Sequence, residues 1–564
     1  EITYPDGTGV TYEYDLNDHL IKVTDNGETT QYTYDKTGNV IKTERSSGIN
    51  TEYTYDEQSR LTKLVNSKDG EILSSFEYSY DIAGNVISED ALSPETSAHM
   101  DYEYDNSGQL IKYTRITDSS NEEYTYTYDK SGNRTGLVKT GVEQPETIEY
   151  TYNSSNQLVS SVSSISGKTD YSYDANGSLI SKINASDTYT YEYTTDLKLK
   201  AVKEGGRLLM AASYDGDGNR IFTATKTESV HKYPETENNP SGITIESGSV
   251  GGDEEKDQTE DTDITGGSDS ESLDSAGTTE EKGKPYAGIS DMFWYGFSLG
   301  IIETSAGVNA APAMHMADSF NRKWDEQTEN TRKGGTSAGS KTASSTSDSA
   351  CVNGFLELQG IIIPDTTDTD NGNGTYTTTE YASAYYVNNI NTENAQVLMT
   401  YESLASDTPS AVYTYGNERI SVKDTEGKDT VSKDTASSYY LYDGRGSVAQ
   451  LADNTGVTRT LTYDPYGEIT GGAKEYESLY GYNAEEYNTV TGLTYLRYRY
   501  LDNETGRFTQ EDNYLGSIIE AVSLNRYTYA NNNPVMYADP SGHWPKMSSI
   551  GKSLARNASK IGAV

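Results

Sequence analysis

The chain has 564 residues and a net charge of −43, and only 33% of its residues are hydrophobic. Nucleic acid and anionic lipid both need basic patches, so this acidic balance repels both and predicts no nucleic-acid partner. The single cysteine, Cys351, rules out a disulfide within the chain. No run reaches the roughly 18 apolar residues of a membrane helix, so the sequence predicts no membrane span.

Tyrosine replaces the aliphatic residues that a globular chain normally uses, with 49 Tyr against 7 Phe. A buried tyrosine ring still needs a partner or water for its hydroxyl, which favours thin sheets with one solvated face over a dry core. We interpret the acidic charge as solubility for an exported protein, with calcium binding as a minor alternative. The chain begins at Glu1 without a charged and then apolar leader, so we expect it to be part of a longer protein.

A repeated phrase runs through residues 1–224: Tyr-x-Tyr-Asp, then a turn resembling Gly-Asn, then an aliphatic residue. The second tyrosines of the phrase are Tyr14, Tyr34, Tyr55, Tyr80, Tyr104, Tyr128, Tyr152, Tyr173, Tyr193 and Tyr214. Their spacing of 20 to 25 residues is typical of a repeat architecture.

One repeat predicts one β-hairpin. Residues two apart share a face of a strand, so each tyrosine pair forms a stripe of two rings. The aspartate ends the strand and bonds turn amides, and the glycine supplies a positive φ. Because a lone hairpin is marginal in water, successive hairpins must stack and pair their edges. We therefore expect a long curved sheet, with a flat solvated stalk as the alternative.

An insertion is predicted over residues 225–350. Residues 246–281 are rich in Gly, Ser, Thr and acid, a composition that cannot bury enough surface to order itself. Short helices are predicted near residues 289–328, where Ala313, Met316, Phe320 and Trp324 share one helical face. These helices would cap the shell, or dock to a membrane or partner.

Shell strands are predicted to resume over residues 351–480, followed by a distinct core over residues 481–543. The core contains the following motifs: Arg497-Tyr498-Arg499-Tyr500, Gly506-Arg507-Phe508, Glu511-Asp512, Asn525-Arg526-Tyr527, Asn532-Asn533-Pro534 and Asp539-Pro540-Ser541-Gly542. Together with the repeats, these motifs resemble the RHS/YD-repeat family and its RHS-associated core. The family includes the C-subunit shells of insecticidal Tc toxins, bacterial wall-associated polymorphic toxins and the YD-shell of animal teneurins.

The resemblance covers roughly residues 1–224 and 380–543, and it implies an all-β fold. The hairpins would form a spiralling sheet that closes into a hollow shell around a C-terminal effector, with the core as a plug at one end. The partly disordered insertion would carry the short helices. Secretion or attachment to the cell wall or cell surface is the location that the resemblance implies, and we expect a monomer.

The resemblance also implies that the core is an aspartic protease acting on its own chain. Its two acids correspond to Asp512 and Asp539, and its assisting arginine corresponds to Arg499. The cut would follow His543 and precede Trp544. Asn513 stands where the family often has Pro, His543 where it often has Leu, and residues 518–522 lengthen the spacer, so the bond is placed to within about a residue.

Two carboxylates that share one proton can supply the base and the acid that amide hydrolysis needs. An arginine beside them can hold the pair or stabilise an oxyanion. Spacing alone also permits structural roles: Asp512 as a turn cap, Asp539 as the start of an Asp-Pro turn, and Arg499 as an outward strand residue.

No cofactor or metal site is predicted. The five histidines lack the spacing of metal ligands, and the turn at residues 215–219 has Arg220 where a calcium-binding EF-hand needs Gly. Cys351 has no nearby histidine and is expected to be inert.

Residues 544–564 are basic with a helical apolar stripe, and we interpret them as the start of a variable effector or as an effectorless end. The favoured function is a shell that encloses a C-terminal effector and releases it by self-cleavage. The alternatives are a surface adhesion or carbohydrate-binding protein without proteolysis, with surface glycans or proteins as partners, and a passive wall spacer.

Overall fold

A computed structural model describes residues 1–4, 8–232, 361–373, 375–404, 406, 408–424, 437–472, 478–518, 521–543 and 545–547. The helices predicted near residues 289–328 lie outside the described residues, as do residue Trp544, residues 548–564 and most of the predicted insertion.

The first long described stretch forms β1 (Ile2–Thr3), β2 (Gly9–Tyr14), β3 (Leu20–Asp25), β4 (Glu28–Tyr34), β5 (Val40–Arg45), β6 (Ile49–Tyr55), β7 (Leu61–Lys68), β8 (Glu71–Tyr80), β9 (Val86–Leu92), β10 (Ser97–Tyr104), β11 (Leu110–Thr117), β12 (Asn121–Tyr128), β13 (Arg134–Thr140), β14 (Glu146–Tyr152), β15 (Leu158–Ser163), β16 (Gly167–Tyr173), β17 (Leu179–Ile183), β18 (Thr188–Tyr193), β19 (Leu199–Glu204), β20 (Arg207–Tyr214) and β21 (Arg220–Lys232).

The sheet resumes with β22 (Thr367–Asp370), β23 (Thr375–Asn389), β24 (Gln396–Tyr401), β25 (Ala411–Tyr415), β26 (Arg419–Asp424), β27 (Ser438–Tyr442), β28 (Val448–Asp453) and β29 (Gly456–Thr460). The remaining strands are β30 (Thr462–Tyr463), β31 (Ile469–Gly471), β32 (Ser478–Tyr480), β33 (Glu486–Asn488), β34 (Leu493–Leu496), β35 (Arg499–Asp502), β36 (Arg507–Phe508), β37 (Tyr537–Ala538) and β38 (Lys546–Met547). Short 3-10 helices span Tyr482–Ala484, Ala521–Leu524 and Ala530–Asn532.

Strands β1–β29 form a single antiparallel sheet. Each strand from β1 to β20 pairs with the next along the chain, as in β10 with β11 and β11 with β12. β21 then pairs with β23, so the strands on either side of residues 233–360 are neighbours in the sheet. The predicted all-β fold, a sheet built from successive hairpins, is confirmed.

In most repeats an aspartate organises the turn, as the sequence predicts. In one hairpin, Asp35 Oδ1 accepts the backbone N–H groups of Thr37 at 2.8 Å and Asn39 at 2.9 Å. Gly38 adopts φ +86°, where an L side chain is strained. The aspartates that accept the backbone N–H four residues later are Asp15, Asp35, Asp56, Asp81, Asp105, Asp129, Asp174, Asp215, Asp443 and Asp464.

The second tyrosine of a repeat links its hairpin to the one before. Tyr104 donates its hydroxyl proton to the carbonyl oxygen of Val86 at 2.8 Å. Val86 is the first residue of β9, the second strand of the preceding hairpin. The same bond joins Tyr34 to Leu20, Tyr55 to Val40, Tyr80 to Leu61, Tyr128 to Leu110, Tyr152 to Arg134, Tyr193 to Leu179, Tyr214 to Leu199, Tyr442 to Arg419 and Tyr463 to Val448. These hydroxyls therefore have a fixed structural partner between hairpins.

The sheet curves so that its early strands face its late ones. Gly444 donates its N–H to the Tyr78 hydroxyl at 2.8 Å, and the Thr414 hydroxyl lies 2.6 Å from Asp25 Oδ2. The five-stranded sheet β32–β36 belongs to the same assembly, because Tyr482 and Phe508 share one hydrophobic cluster with the tyrosines of the repeats.

Side chains of the core bond the turns of five successive hairpins. The donor and carbonyl pairs are Asn533 with Gly108 at 2.9 Å, Asn532 with Gly132 at 2.7 Å, Arg507 with Asn156 at 2.6 Å, Tyr527 with Gly177 at 2.9 Å, and Gln510 with Leu197. The core therefore has a defined register on the shell. Among the helices of the described ranges, none has the length and apolar character needed to cross a membrane.

Candidate active site

The structure brings together the three residues that the sequence analysis predicts to be catalytic. Arg499 begins β35, Asp512 follows β36 by four residues, and Asp539 directly follows β37. The main chain fixes Asp512, since its N–H donates to the carbonyl oxygen of Arg526 at 3.0 Å. The side chain of Asp512 in turn accepts the N–H of Tyr514 at 2.9 Å.

One guanidinium nitrogen bridges the two acids. Arg499 Nη2 lies 2.7 Å from Asp512 Oδ2 and 3.5 Å from Asp539 Oδ2. The exposed fractions are 2% for Arg499, 5% for Asp512 and 1% for Asp539, so all three groups are withdrawn from solvent. Buried charges of this kind require close partners, and these three are one another's partners.

The rest of the Arg499 guanidinium is fully engaged. Its Nε donates to the carbonyl oxygen of Gly542 at 2.5 Å, and its Nη1 donates to the carbonyl oxygen of Arg526 at 2.9 Å. Its Cζ lies 3.5 Å from the centroid of the Phe508 ring. Arg499 thus holds both acids and the main chain after Asp539 in one fixed arrangement.

Asp539 closes a tight turn with the residues that follow it. Its Oδ1 accepts the Ser541 hydroxyl at 3.1 Å, the N–H of Gly542 at 2.9 Å and the N–H of His543 at 3.1 Å. Gly542 adopts φ +73°, and a Cβ there would lie 2.3 Å from the carbonyl oxygen of Leu496. Only glycine fits this position, which accounts physically for the glycine of the Asp-Pro-Ser-Gly sequence.

The two acids have unequal surroundings. Burial raises the pKa of Asp539 above its ordinary value, although Arg499 and the bonds from Ser541 and His543 oppose the rise. The ion pair of Arg499 with Asp512 is 0.8 Å shorter than its ion pair with Asp539. Of the two, Asp539 is therefore the carboxyl group better suited to carry a proton.

His543 also contacts the pair. Its Nδ1 lies 3.2 Å from Asp512 Oδ1, and its ring centroid lies 4.0 Å from that of Tyr498, with 34° between the planes. About a third of the His543 side chain is exposed, 34% by area. Trp544, the other residue of the predicted cut, lies outside the described residues.

Sequence reasoning assigned no role to Arg526 and Tyr498, which also build the site. Arg526 donates from Nε to the carbonyl oxygen of Asp512 at 2.6 Å, and its Nη1 pairs with Glu511 at 2.5 Å. Both residues belong to the recognised core motifs, but their spacing does not show which backbone they reach. Within the described ranges, no cluster of three or more His, Cys, Asp or Glu side chains could hold a metal ion.

This arrangement can perform acid–base chemistry on an adjacent peptide. Two buried carboxyl groups, one of them with a raised pKa, lie against a turn of the same chain, and an arginine fixes all three elements. Such a pair has the parts that hydrolysis requires: a base for water, an acid for the leaving nitrogen and a cation for the developing charge.

Comparison with protein families gives a match to the teneurin YD-shell model over residues 6–69, 51–244 and 409–535, well over half of the chain. The matched residues include Arg499 and Asp512.

Among curated proteins, tRNA nuclease WapA of Bacillus subtilis (strain 168) is 33% identical over 149 residues, covering 26% of this chain and 6% of that protein. The tRNA(Glu)-specific nuclease WapA of Bacillus subtilis subsp. natto (strain BEST195) is 38% identical over 110 residues, covering 19% and 5%. The chain therefore spans only a small part of the length of these relatives.

Among solved structures, the crystal structure of TcdB2-TccC3-Cdc42 matches 97% of this chain and 22% of its own, with a TM-score of 0.52 and 15% identity. The Photorhabdus luminescens Tc holotoxin pore matches 96% and 21%, with a TM-score of 0.53 and 16% identity. At this level of identity the similarity is one of fold.

Proposed function

The chain belongs to the teneurin YD-shell family, and we propose that it is the shell of a polymorphic toxin that encloses a C-terminal effector. The shell releases the effector by cutting its own chain after His543. The relatives support this proposal, since the fold neighbours are Tc toxin components and the curated relatives are tRNA nucleases. A secreted or surface location follows from the same proposal.

The observation that carries the proposal is the buried Asp512–Arg499–Asp539 arrangement beside the turn that ends in His543. A shell that served only as a spacer would not need two acids withdrawn from water. Burying charged groups costs free energy unless close partners offset it, and here Arg499 serves both acids.

In the proposed reaction, ionised Asp512 takes a proton from a water molecule while the oxygen of that water bonds to the carbonyl carbon of His543. Arg499 stabilises the charge that develops nearby, and protonated Asp539 gives its proton to the Trp544 nitrogen as the carbon–nitrogen bond breaks. The products are a carboxyl group on His543 and an amino group on Trp544. The substrate is tethered, so a high effective molarity replaces a binding pocket, and one turnover suffices.

Substitution of the acids tests this assignment. We expect the purified chain to split into a large fragment and a 21-residue peptide that begins at Trp544. Asp512→Asn and Asp539→Asn should each remain whole, because asparagine cannot exchange the proton yet still offers Arg499 a carbonyl acceptor. The measurement is the intact mass of each chain together with the N-terminal sequence of the small fragment.

A matched control is Asp453→Asn. Asp453 is also buried and also bonds a turn, through the Thr455 N–H at 2.7 Å, but it lies at the end of β28 and outside the site. This control should cleave at the rate of the unsubstituted chain. Cleavage of the Asp512→Asn, Asp539→Asn double variant at that same rate would show that the acids have no catalytic role.

Carbohydrate binding by exposed tyrosine stripes has less support. Most first tyrosines of the repeats are buried, as Tyr102 and Tyr126 illustrate with exposed fractions of 3% and 2%. Second tyrosines such as Tyr104 and Tyr128 commit their hydroxyls to the neighbouring hairpin. Sugar stacking needs open ring faces, so the self-cleaving shell is the function that the geometry supports best.

A further inference from the structure

The bonds to Asp512 are distributed unevenly over its two oxygens. Oδ2 faces Arg499, whereas Oδ1 accepts the Tyr514 N–H at 2.9 Å and lies 3.2 Å from Nδ1 of His543. An ionised carboxylate can only accept hydrogen bonds, so the imidazole must present Nδ1–H to it. In the neutral ring, the second nitrogen, Nε2, is then the position at which a proton can be gained.

The position of the imidazole is well defined. The ring of His543 packs on Tyr498 at 4.0 Å, and its main-chain N–H is bound by Asp539. Lys198 Nζ lies 4.3 Å from the centroid of the same Tyr498 ring. Because a third of the His543 side chain remains exposed, protons of the solvent can reach it.

We propose that His543 is a positioning residue that makes self-cleavage depend on pH. This inference rests on the proposed function. The neutral imidazole orients ionised Asp512 with a hydrogen bond from Nδ1–H and leaves it able to take a proton from water. The imidazolium forms an ion pair with Asp512, stabilises its negative charge and weakens it as a base. Cleavage is therefore fast at neutral pH and slow in mild acid.

The charged groups that contact His543, or contact one of its direct partners, come from four parts of the fold. Asp512 approaches the ring from the segment after β36, and Asp539 binds the main-chain N–H from the turn that His543 itself completes. Arg499 of β35 pairs with Asp512, and Lys198 of the turn between β18 and β19 lies over the Tyr498 ring on which His543 packs. Of these charged groups, Asp512 is the one whose side chain contacts the imidazole ring.

Histidine is the side chain whose ordinary titration falls between about pH 5 and pH 8. A purely steric contact between His543 and Tyr498 would place no step in the cleavage rate within that window. The shape of the pH profile thus distinguishes a charge effect from packing.

The test compares the chain with His543→Asn, since an asparagine amide can donate to Asp512 from the position of Nδ1 but cannot gain a proton. Pulse-labelled chains from cell-free synthesis are moved into buffers from about pH 5 to about pH 8, and the rate of fragment formation is measured. We expect the unsubstituted chain to cleave about tenfold more slowly at the acid end. The variant should change by less than about twofold over the same range.

His99→Gln is the matched control, because His99 contacts Asp90 and Asp101 on the shell and not the acid pair. Its profile should follow that of the unsubstituted chain. Superimposed profiles of the unsubstituted chain and His543→Asn would overturn the inference, and so would a His543→Asn chain that is inert at every pH. If the unsubstituted chain and His99→Gln never cleave, the proposed function itself fails.

Discussion

At the scale of single residues, the tyrosine hydroxyl contributes as much to the repeat as the ring. Tyr104 reaches the Val86 carbonyl of the preceding hairpin, and the same link recurs along the sheet. The sequence predicts that buried tyrosines need hydroxyl partners, but it does not identify them. The partner belongs to another repeat, and the alignment between repeats is set by strand pairing.

Tyr104→Phe tests this link. Loss of the hydroxyl leaves the Val86 carbonyl short of one partner while the ring stays in place, so the free energy of unfolding should fall by about 1 kcal/mol. Denaturant titration measures the change. Tyr14→Phe is the control, since 58% of Tyr14 is exposed, and its effect should stay within about 0.5 kcal/mol. An equal loss in both variants would contradict a role for the link.

Asp464 predicts a pH dependence of shell stability. Burial, followed by the charge of Glu468, raises the pKa of Asp464 to about 7, and Lys139 only partly opposes this rise. In the unfolded chain the carboxyl group ionises near its ordinary value. Its contribution to stability is therefore complete below that value and is lost as pH rises through about 7.

Asp464→Asn should remove this dependence, because an asparagine amide does not ionise. The turn should persist, since the amide oxygen can still accept the N–H groups of Tyr466 and Glu468. We expect the denaturation midpoint of the unsubstituted chain to fall more than that of the variant between about pH 4 and about pH 7.5. Parallel midpoints at every pH would mean that Asp464 ionises in the folded chain as it does in the unfolded one.

At the scale of elements, the repeat predicts each hairpin and its turn chemistry, because those depend on residues within a few positions of one another. The turn at residues 194–198 departs from the pattern. Thr194 replaces the aspartate and accepts the Lys198 N–H through its hydroxyl at 3.0 Å, and Leu197 takes the left-handed position with φ +64°. No local signal predicts a leucine there, since its strain is sustained by the surrounding structure.

Alanine substitutions at two glycines can distinguish the backbone strain of a turn from the contact between that turn and the core. Gly108 and Gly177 occupy equivalent turns with φ +78° and +80°. A Cβ at Gly108 meets nothing within 4 Å, whereas one at Gly177 would lie 2.6 Å from Glu511 Oε2 and 2.7 Å from the Tyr527 hydroxyl. Gly108→Ala should cost about 1 kcal/mol from the backbone conformation alone.

Gly177→Ala should cost more than Gly108→Ala, and it should also slow the proposed self-cleavage, because Glu511 adjoins Asp512 and must shift to admit the methyl group. Denaturant titration and the rate of fragment formation measure the two effects. If both alanine variants lower stability and cleavage equally, the contact between this turn and the core has no influence on the acid pair.

The candidate site was predictable only in part. The resemblance supplied Arg499, Asp512 and Asp539, and the structure brings them into contact. The spacing of residues in the sequence could not predict that Lys198 lies near the site. Some 300 residues separate it from Tyr498, and only the folded sheet makes them neighbours.

At the scale of the whole molecule, the sheet and the core form one assembly. The late strands contact the early ones, and the core completes the hydrophobic cluster that the repeat tyrosines begin. Composition predicted a thin sheet with one solvated face. The packing of the core against the other face depends on contacts between residues hundreds of positions apart. A local sequence pattern cannot predict such contacts.

Five successive turns, from Gly108 to Leu197, each bind a different side chain of the core. Tandem arrays usually tolerate the gain or loss of a unit, because each unit contacts only its neighbours. In this span a duplication or deletion would displace every later turn by one place and leave the core donors opposite the wrong carbonyls. The copy number of these units is thus fixed by the far end of the chain, and drift in array length must be confined to other stretches.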